Sequence, residues 1–190
     1  MAKPPISSFP VPRLKDLPKD VRARIKAVQK KSGFVPNVFL ALAHRPDEFR
    51  AFFAYYDALI TKEGGLSKAE KEMIVVATSA ANQCTYCVVA HGALLRIFSK
   101  NPLLGDQVAI HHRNADLSPR ERAMLDAALK LAREPQDFGE ADISSLLDHG
   151  FTREDIWDIG AITALFALSN RMAHLTAMRP NDEFYAMGRS

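Results

Sequence analysis

A chain of 190 residues, 47% hydrophobic and 25% charged, has enough apolar material for one sizeable core and the make-up of an ordinary globular protein. Its formal charge of +3 is dispersed without any long Lys/Arg block, which argues against nucleic-acid binding, and no apolar run reaches the ~18 residues that a membrane span requires. Residues 1–18 lack the apolar core of a signal peptide, so the expected location is the cytoplasm, where two cysteines are more readily catalytic, redox-sensing or metal-binding than a structural staple.

Pro4, Pro5, Pro10, Pro12 and Pro18 mark residues 1–18 as an extended arm, lying on the body or on a neighbouring subunit. Beyond it the periodicity is helical throughout and predicts an all-α fold of about eight to nine helices. Val21, Ile25 and Val28 form one apolar stripe that ends near Gly33. Asn37 is expected to cap a short helix through Ala43, which His44-Arg45-Pro46 breaks. Phe49, Phe52, Phe53, Tyr56, Leu59 and Ile60 make a broad apolar face that stops before Gly64-Gly65. Ser67 and Glu70 form a capping box that opens a helix to about Asn82, and a cysteine-bearing helix follows from about Cys84 to Phe98. A shorter helix covers Leu103 to His112. Ser118 and Glu121 form a second capping box, with Pro119 at the first helical position, and that helix ends before Pro135. Residues 142–149 form a short helix closed by Gly150. Thr152 caps a long one to roughly Met178, with Ile156, Ile159, Ile162, Leu165 and Phe166 facing the core. Residues 66–74 and 117–125 echo one another, which reads either as two ordinary helix starts or as a duplicated helical-hairpin unit.

The chemistry concentrates at Cys84-Thr85-Tyr86-Cys87-Val88-Val89-Ala90-His91. On a helix, Cys84, Cys87 and His91 share one face. A free thiol has pKa ~8.5 and reacts as thiolate; helix N-terminal amides favour the anion at Cys84, and a histidine one turn away can take a proton from Cys87. A thiol oxidised by a hydroperoxide to a sulfenic acid is resolved to a disulfide by its neighbour, and an external dithiol restores it. Glu72 lies among Ala69, Met73, Val76 and Ala80, a carboxylate on an apolar helix whose burial would raise its pKa toward the range of a proton shuttle; the plainer reading places it at the edge of the stripe, reaching solvent.

Glu72, Cys84, Cys87 and His91, in this order and spacing, resemble the active-site pattern of AhpD-type alkyl hydroperoxidases, of the carboxymuconolactone decarboxylase-like superfamily, over residues 66–98. Phe34-Val35-Pro36-Asn37, Asn170-Arg171-Met172-Ala173 and Pro180-Asn181-Asp182-Glu183-Phe184 resemble its longer, peroxidase-related branch. The resemblance implies a single AhpD-like domain over 1–190, no haem, flavin or metal cofactor, and a homo-oligomer, whether dimer, trimer or hexamer. It also implies a hydroperoxide substrate and an external thiol or dithiol reductant protein. Residue by residue it makes Cys87 the peroxide-reactive thiol, Cys84 the resolving thiol, His91 the base near Cys87 and Glu72 the second member of a proton relay. One departure stands between the cysteines: Tyr86 occupies a position that is histidine in the best-known members, and a phenol of pKa ~10 does not buffer protons near neutrality.

Other readings use the same residues. Cys84, Cys87, His91 and Glu72 are four potential zinc ligands, but the second half of a zinc motif is missing. Val88 occupies the histidine position of a covalent-haem motif and excludes it. His91 and Glu72 alone could run cofactor-free acid–base chemistry of the decarboxylase kind, leaving the dithiol without a role. A redox sensor would use the dithiol to switch partner affinity rather than to turn over. His111 and His112 are expected at the surface or an interface, His174 at a helix boundary or approaching the site, Trp157 in the core, and Asn170 as a hydrogen-bonding group behind the site. Phe49, Phe52, Phe53 and Tyr56 are expected in the core or a subunit interface, or as the wall of a pocket for an organic peroxide.

Overall fold

The computed structural model describes residues 4–189 and contains, among them, ten α-helices and no strand. They are α1 (Lys19–Ser32), α2 (Asn37–Leu42), α3 (Pro46–Tyr56), α4 (Lys68–Ala81), α5 (Thr85–Ser99), α6 (Leu104–His111), α7 (Pro119–Arg133), α8 (Glu140–Asp148), α9 (Arg153–Leu175) and α10 (Glu183–Ala186). Nine of them match the sequence reading; the single-turn α10 carries no periodic signal and was not foreseen. The fold class is all-α, as expected.

Helix α4 is the axis of the molecule. Every residue from Glu70 to Ser79 is buried, because α5, α7 and α9 pack around it. Met73, Ile74, Val75 and Val76 of α4 meet Met124, Leu125 and Ala128 of α7 and Ile159, Ile162, Leu165 and Phe166 of α9 in the largest core cluster. A helix apolar on all sides belongs at the centre of a bundle, so the charged residues it carries must find partners inside the protein. A second cluster joins the arm and α1–α3 through Leu17, Val21, Ile25, Phe49 and Phe53. A third holds both cysteines with Ala41, Met178 and Phe184.

The helix starts at Ser67, Ser118 and Thr152 are all reciprocal capping boxes, closed by Glu70, Glu121 and Asp155. Asn37 does not cap α2. Pro36 takes that place, and the Asn37 side chain instead donates to the Arg179 carbonyl at 2.8 Å, tying α2 to the C-terminal segment. Helix α9 stops at Leu175, short of Met178, where Ala177 turns left-handed at φ 49°. The arm, from residue 4 onward, lies against that end of α9: Ser8 N–H donates to the Thr176 carbonyl at 2.7 Å and Arg179 N–H to the Ile6 carbonyl at 3.1 Å. Residues 1–3 of the arm lie outside the described residues. Trp157 is 74% exposed, not in the core; it sits on the face of α9 opposite Ile159 and Ile162.

Helices α5 and α6 approach closely at two glycines. A Cβ on Gly105 would stand 2.8 Å from the Gly92 carbonyl oxygen, a backbone atom that cannot swing away. Gly105→Ala should therefore push α6 off α5 and cost about 1–3 kcal/mol, the usual penalty of overpacking, read as a lowered Tm in thermal denaturation.

Candidate functional site

Three helices build the site, each through residues spaced to fall on one face. Helix α4 contributes Glu72 and, two turns on, Ser79. Helix α5 contributes Cys87 and His91. Helix α9 contributes Phe166, Ser169 and Asn170. The link between α4 and α5 sets the geometry. Asn82 ends α4, Gln83 takes a left-handed φ of 54°, and Cys84 becomes the N-cap of α5 while its N–H reaches back to the Ser79 carbonyl at 2.9 Å. The reversal folds α5 back along α4 and brings His91 onto Glu72.

That contact is the shortest polar one in the site: His91 Nδ1 to Glu72 Oε2 at 2.7 Å. Glu72 is 1% exposed, so the plainer reading of a carboxylate reaching solvent does not hold. A buried carboxylate is tolerable only when paired, and the imidazole is its partner. With Glu72 as acceptor, His91 carries its proton on Nδ1 and leaves Nε2 free. The His91 ring also stands edge-on to Phe166, with centroids 4.8 Å apart, which fixes its plane.

Both cysteines are buried and free. They share hydrogen-bonding protons, and their environments differ. The Cys84 thiol is pulled down to about 6, first by a hydrogen bond from the Cys87 thiol, which outweighs the burial that opposes it; the Cys87 backbone amide, the positive charge of His174 and the Asn170 side chain add to the effect. The Cys87 thiol is pushed up, because it gives its proton to Cys84, because it is buried and because a thiolate stands beside it. The pair thus loses its first proton well below the ordinary thiol range and resists losing the second. An ultraviolet titration of reduced protein should show a thiolate appearing as pH rises through about 6. Cys84→Ser should abolish that wave, and Cys87→Ala, by removing the donor, should move it to higher pH.

Cys87 Sγ lies 3.8 Å from Ser169 Oγ. No direct hydrogen bond joins it to His91 among the described residues, but both groups line one apolar cavity of about 120 Å³ under α2, α3 and the C-terminal segment. Cys84 does not line it. Tyr86 also borders this cavity, yet its hydroxyl accepts from Val38 N–H at 3.1 Å, at the start of α2, and burial holds it protonated. Asn170 donates to Ser79 Oγ at 3.0 Å and accepts from the Asn82 side chain at 2.9 Å, so its amide is held beside both sulfurs. Phe52, Phe53 and Tyr56 wall the cavity, while Phe49 packs beneath them in the core.

Ser169 and Lys71 escaped the sequence reading, while His174 and Tyr56 were read with the site as one of their alternatives. Ser169 sits beside Asn170, and only their joint polarity within an apolar run could have flagged it. His174, read as a boundary residue or one approaching the site, donates from Nε2 to the Asn82 carbonyl at 2.9 Å, two residues before Cys84. Tyr56, expected in the core, an interface or the wall of a peroxide pocket, lines the cavity. Lys71 looks like a solvated charge, yet it is 2% exposed and gives its ammonium protons to the carbonyls of Leu59, Ile60 and Lys62. Among the described residues no group of three or more His, Cys, Asp or Glu side chains is placed to hold a metal ion.

An all-helical bundle with a dithiol at a helix start and a buried Glu–His pair behind it defines a class, and comparison with known proteins agrees. The carboxymuconolactone decarboxylase family model matches residues 46–130, from the start of α3 to near the end of α7. A crystal structure from Ralstonia eutropha JMP134, described as an alkylhydroperoxidase AhpD core and an uncharacterized peroxidase-related protein, is 67% identical over 98% of both chains, with a TM-score of 0.97. An uncharacterized peroxidase-related protein from Silicibacter sp. TM1040 is 42% identical over the full length of both chains, with a TM-score of 0.94. The debrominase Bmp8, solved with 2,3,4-tribromopyrrole, shares the fold at 19% identity over 94% of both chains, with a TM-score of 0.75. No curated protein matches. This chain belongs to the carboxymuconolactone decarboxylase family, among its AhpD-like, peroxidase-related proteins.

Proposed function

We propose that the protein is a thiol-dependent peroxidase that reduces organic hydroperoxides as an antioxidant defence, through Cys87, Cys84, His91 and Glu72. The observation that carries this reading is the division of labour in the site: Cys87 shares a cavity with the free edge of a Glu72-bound imidazole, and Cys84 stands behind it at the helix start as the more acidic thiol.

The steps follow from that arrangement. His91 takes the Cys87 proton on its free Nε2. The Cys87 sulfur attacks the distal oxygen of the hydroperoxide, the O–O bond breaks, and the alkoxide leaves as alcohol with a proton supplied through His91. Cys87 is now a sulfenic acid. Cys84 attacks its sulfur, water leaves, and the disulfide forms. An external dithiol then reduces the disulfide by exchange and is itself oxidised. Glu72 stabilises the imidazolium in the first step. Tyr86, neutral throughout, contributes a fixed hydroxyl rather than a proton buffer. The two free cysteines suit a reducing compartment such as the cytoplasm. The outer stripe of α9, with Trp157, Leu168 and Leu175 at 74%, 52% and 60% exposure, supports a homo-oligomer, since an apolar helical stripe of that kind asks for a second surface.

The test is to treat reduced protein with one equivalent of tert-butyl hydroperoxide and count free thiols. Loss of both thiols in the wild type, with a trappable sulfenic acid on Cys87 in Cys84→Ser, is the expected result; thiols unchanged after prolonged exposure would sink the proposal. Glu72→Gln should slow thiol loss roughly tenfold without unfolding the protein, less than the ~10² typical of removing a general base outright, because the imidazole remains. An unchanged rate would remove Glu72 from the relay.

A further inference from the structure

Tyr56 is the last residue of α3, and the chain turns immediately after it into a single π-helical turn, Asp57–Thr61. Such insertions recur at functional sites because they redirect side chains. The Tyr56 ring packs edge-on against Phe53, with centroids 6.3 Å apart, and lines the cavity that also exposes Cys87, His91 and Ser169. Its hydroxyl has no hydrogen-bond partner among the described residues, whereas the Tyr86 hydroxyl in the same cavity is engaged by Val38 N–H. A phenol in an apolar cavity without a partner is a donor waiting for an acceptor on a ligand. Burial, and then the charge of Glu72, push its ionisation far above the physiological range, so it can donate a hydrogen bond without giving up its proton.

The cavity also limits what can enter. At about 120 Å³ it is smaller than the ~150 Å³ apolar cavities that take up a benzene ring, which sets the enclosed group at about five heavy atoms. Its walls include Phe39, Phe52, Phe53, Phe166 and Phe184. Long flexible chains have no room inside it; a compact branched apolar group fits.

Resting on the peroxidase reading, we propose that Tyr56 is a further catalytic residue of this site. Its hydroxyl donates to the proximal oxygen of a compact organic hydroperoxide, the oxygen that departs as alkoxide when Cys87 takes the distal one. The Cys87 S–O bond forms and the peroxide O–O bond breaks. The charge that develops on the departing oxygen is met by the Tyr56 hydroxyl, and the proton that converts it to alcohol comes from the His91 imidazolium. Such a donor acts on the transition state more than on the bound peroxide, so it raises the rate of oxidation rather than tightening binding.

The experiment follows single-turnover thiol loss in the full-length reduced protein, with tert-butyl hydroperoxide as the compact substrate and a hydroperoxide of an eighteen-carbon fatty acid (roughly four times the heavy atoms the cavity holds) as the long one. Tyr56→Phe keeps the ring and removes only the hydroxyl. It should slow oxidation by tert-butyl hydroperoxide about tenfold, while leaving the Tm and the Cys84 thiolate wave near pH 6 where they were. The wild type should oxidise faster with the compact hydroperoxide than with the long one. An unchanged rate in Tyr56→Phe overturns the assignment of its hydroxyl, with the peroxidase reading intact. A wild-type preference for the long hydroperoxide overturns the size limit. If neither hydroperoxide consumes thiols in the wild type, the peroxidase reading fails and this inference with it.

Discussion

Cys87→Ser should abolish hydroperoxide consumption, a fall of about 10³-fold or more as expected for loss of a covalent nucleophile, whereas Cys84→Ser should consume one equivalent and stop. The two thiols compete for the role on opposite grounds. Acidity favours Cys84, drawn down to about 6 by its neighbour's thiol and the helix start, so on thiolate fraction alone it would be the reactive cysteine. Access favours Cys87, which faces the cavity that His91 and Tyr56 share; Cys84 does not face it. Reaction needs contact before it needs charge, and the cavity supplies the base as well, because His91 there takes the proton of the sulfur that meets the substrate. The acidic thiol then serves as the attacking group of the second step. Peroxide consumption, together with mass spectrometry of the trapped sulfenic acid, separates the cases. A sulfenic acid on Cys84 in the Cys87→Ser protein, with Cys84→Ser inert, would exchange the roles.

Much of this architecture is written locally and could be read locally. Capping boxes at Ser67, Ser118 and Thr152 involve residues three apart, and all three form. The contrast between Glu72 and its apolar neighbours likewise survives in one dimension. What failed to show is whatever depends on which distant segment arrives. Asn37 looks like a cap until the Arg179 and Asn181 segment claims its backbone and side chain from more than 140 positions away. Ser169 becomes a site residue only because α9 packs against the cysteine helix, a contact with no sequence signature of its own. Trp157 was misplaced for another reason. It belongs to a second apolar stripe on α9, with Ala164, Leu168 and Leu175, and the hydrophobicity of a residue does not say whether its own chain or another surface covers it.

Lys71→Met should destabilise the protein by about 3 kcal/mol, a drop of roughly 10 °C in Tm for a chain of this size. In the sequence Lys71 is one more charge in a polar helix start. In the structure its ammonium satisfies the carbonyls of Leu59, Ile60 and Lys62, at 3.0, 3.4 and 2.7 Å, around the end of the π-turn. A π-turn breaks the regular hydrogen-bond ladder and leaves carbonyls over; buried without a donor, each costs about 1–3 kcal/mol, and part of that sum is recovered because methionine carries no charge to desolvate. Burial lowers the Lys71 pKa, which is the cost already met by the native protein for keeping these three groups paired. The loss should reach the site as well. Lys71 and Glu72 are consecutive on α4: one holds the segment that follows Tyr56, the other holds His91. Freed carbonyls would let the π-turn rearrange, and Tyr56 would move with it. Oxidation by tert-butyl hydroperoxide, measured below the lowered Tm on protein shown to be folded, should then slow toward the Tyr56→Phe rate, while the thiolate wave near pH 6, which depends on α5 and α9, should stay in place. A stable Lys71→Met with normal oxidation would mean that the π-turn holds itself, and that Tyr56 is fixed by Phe53 and the core beneath it rather than by the ammonium.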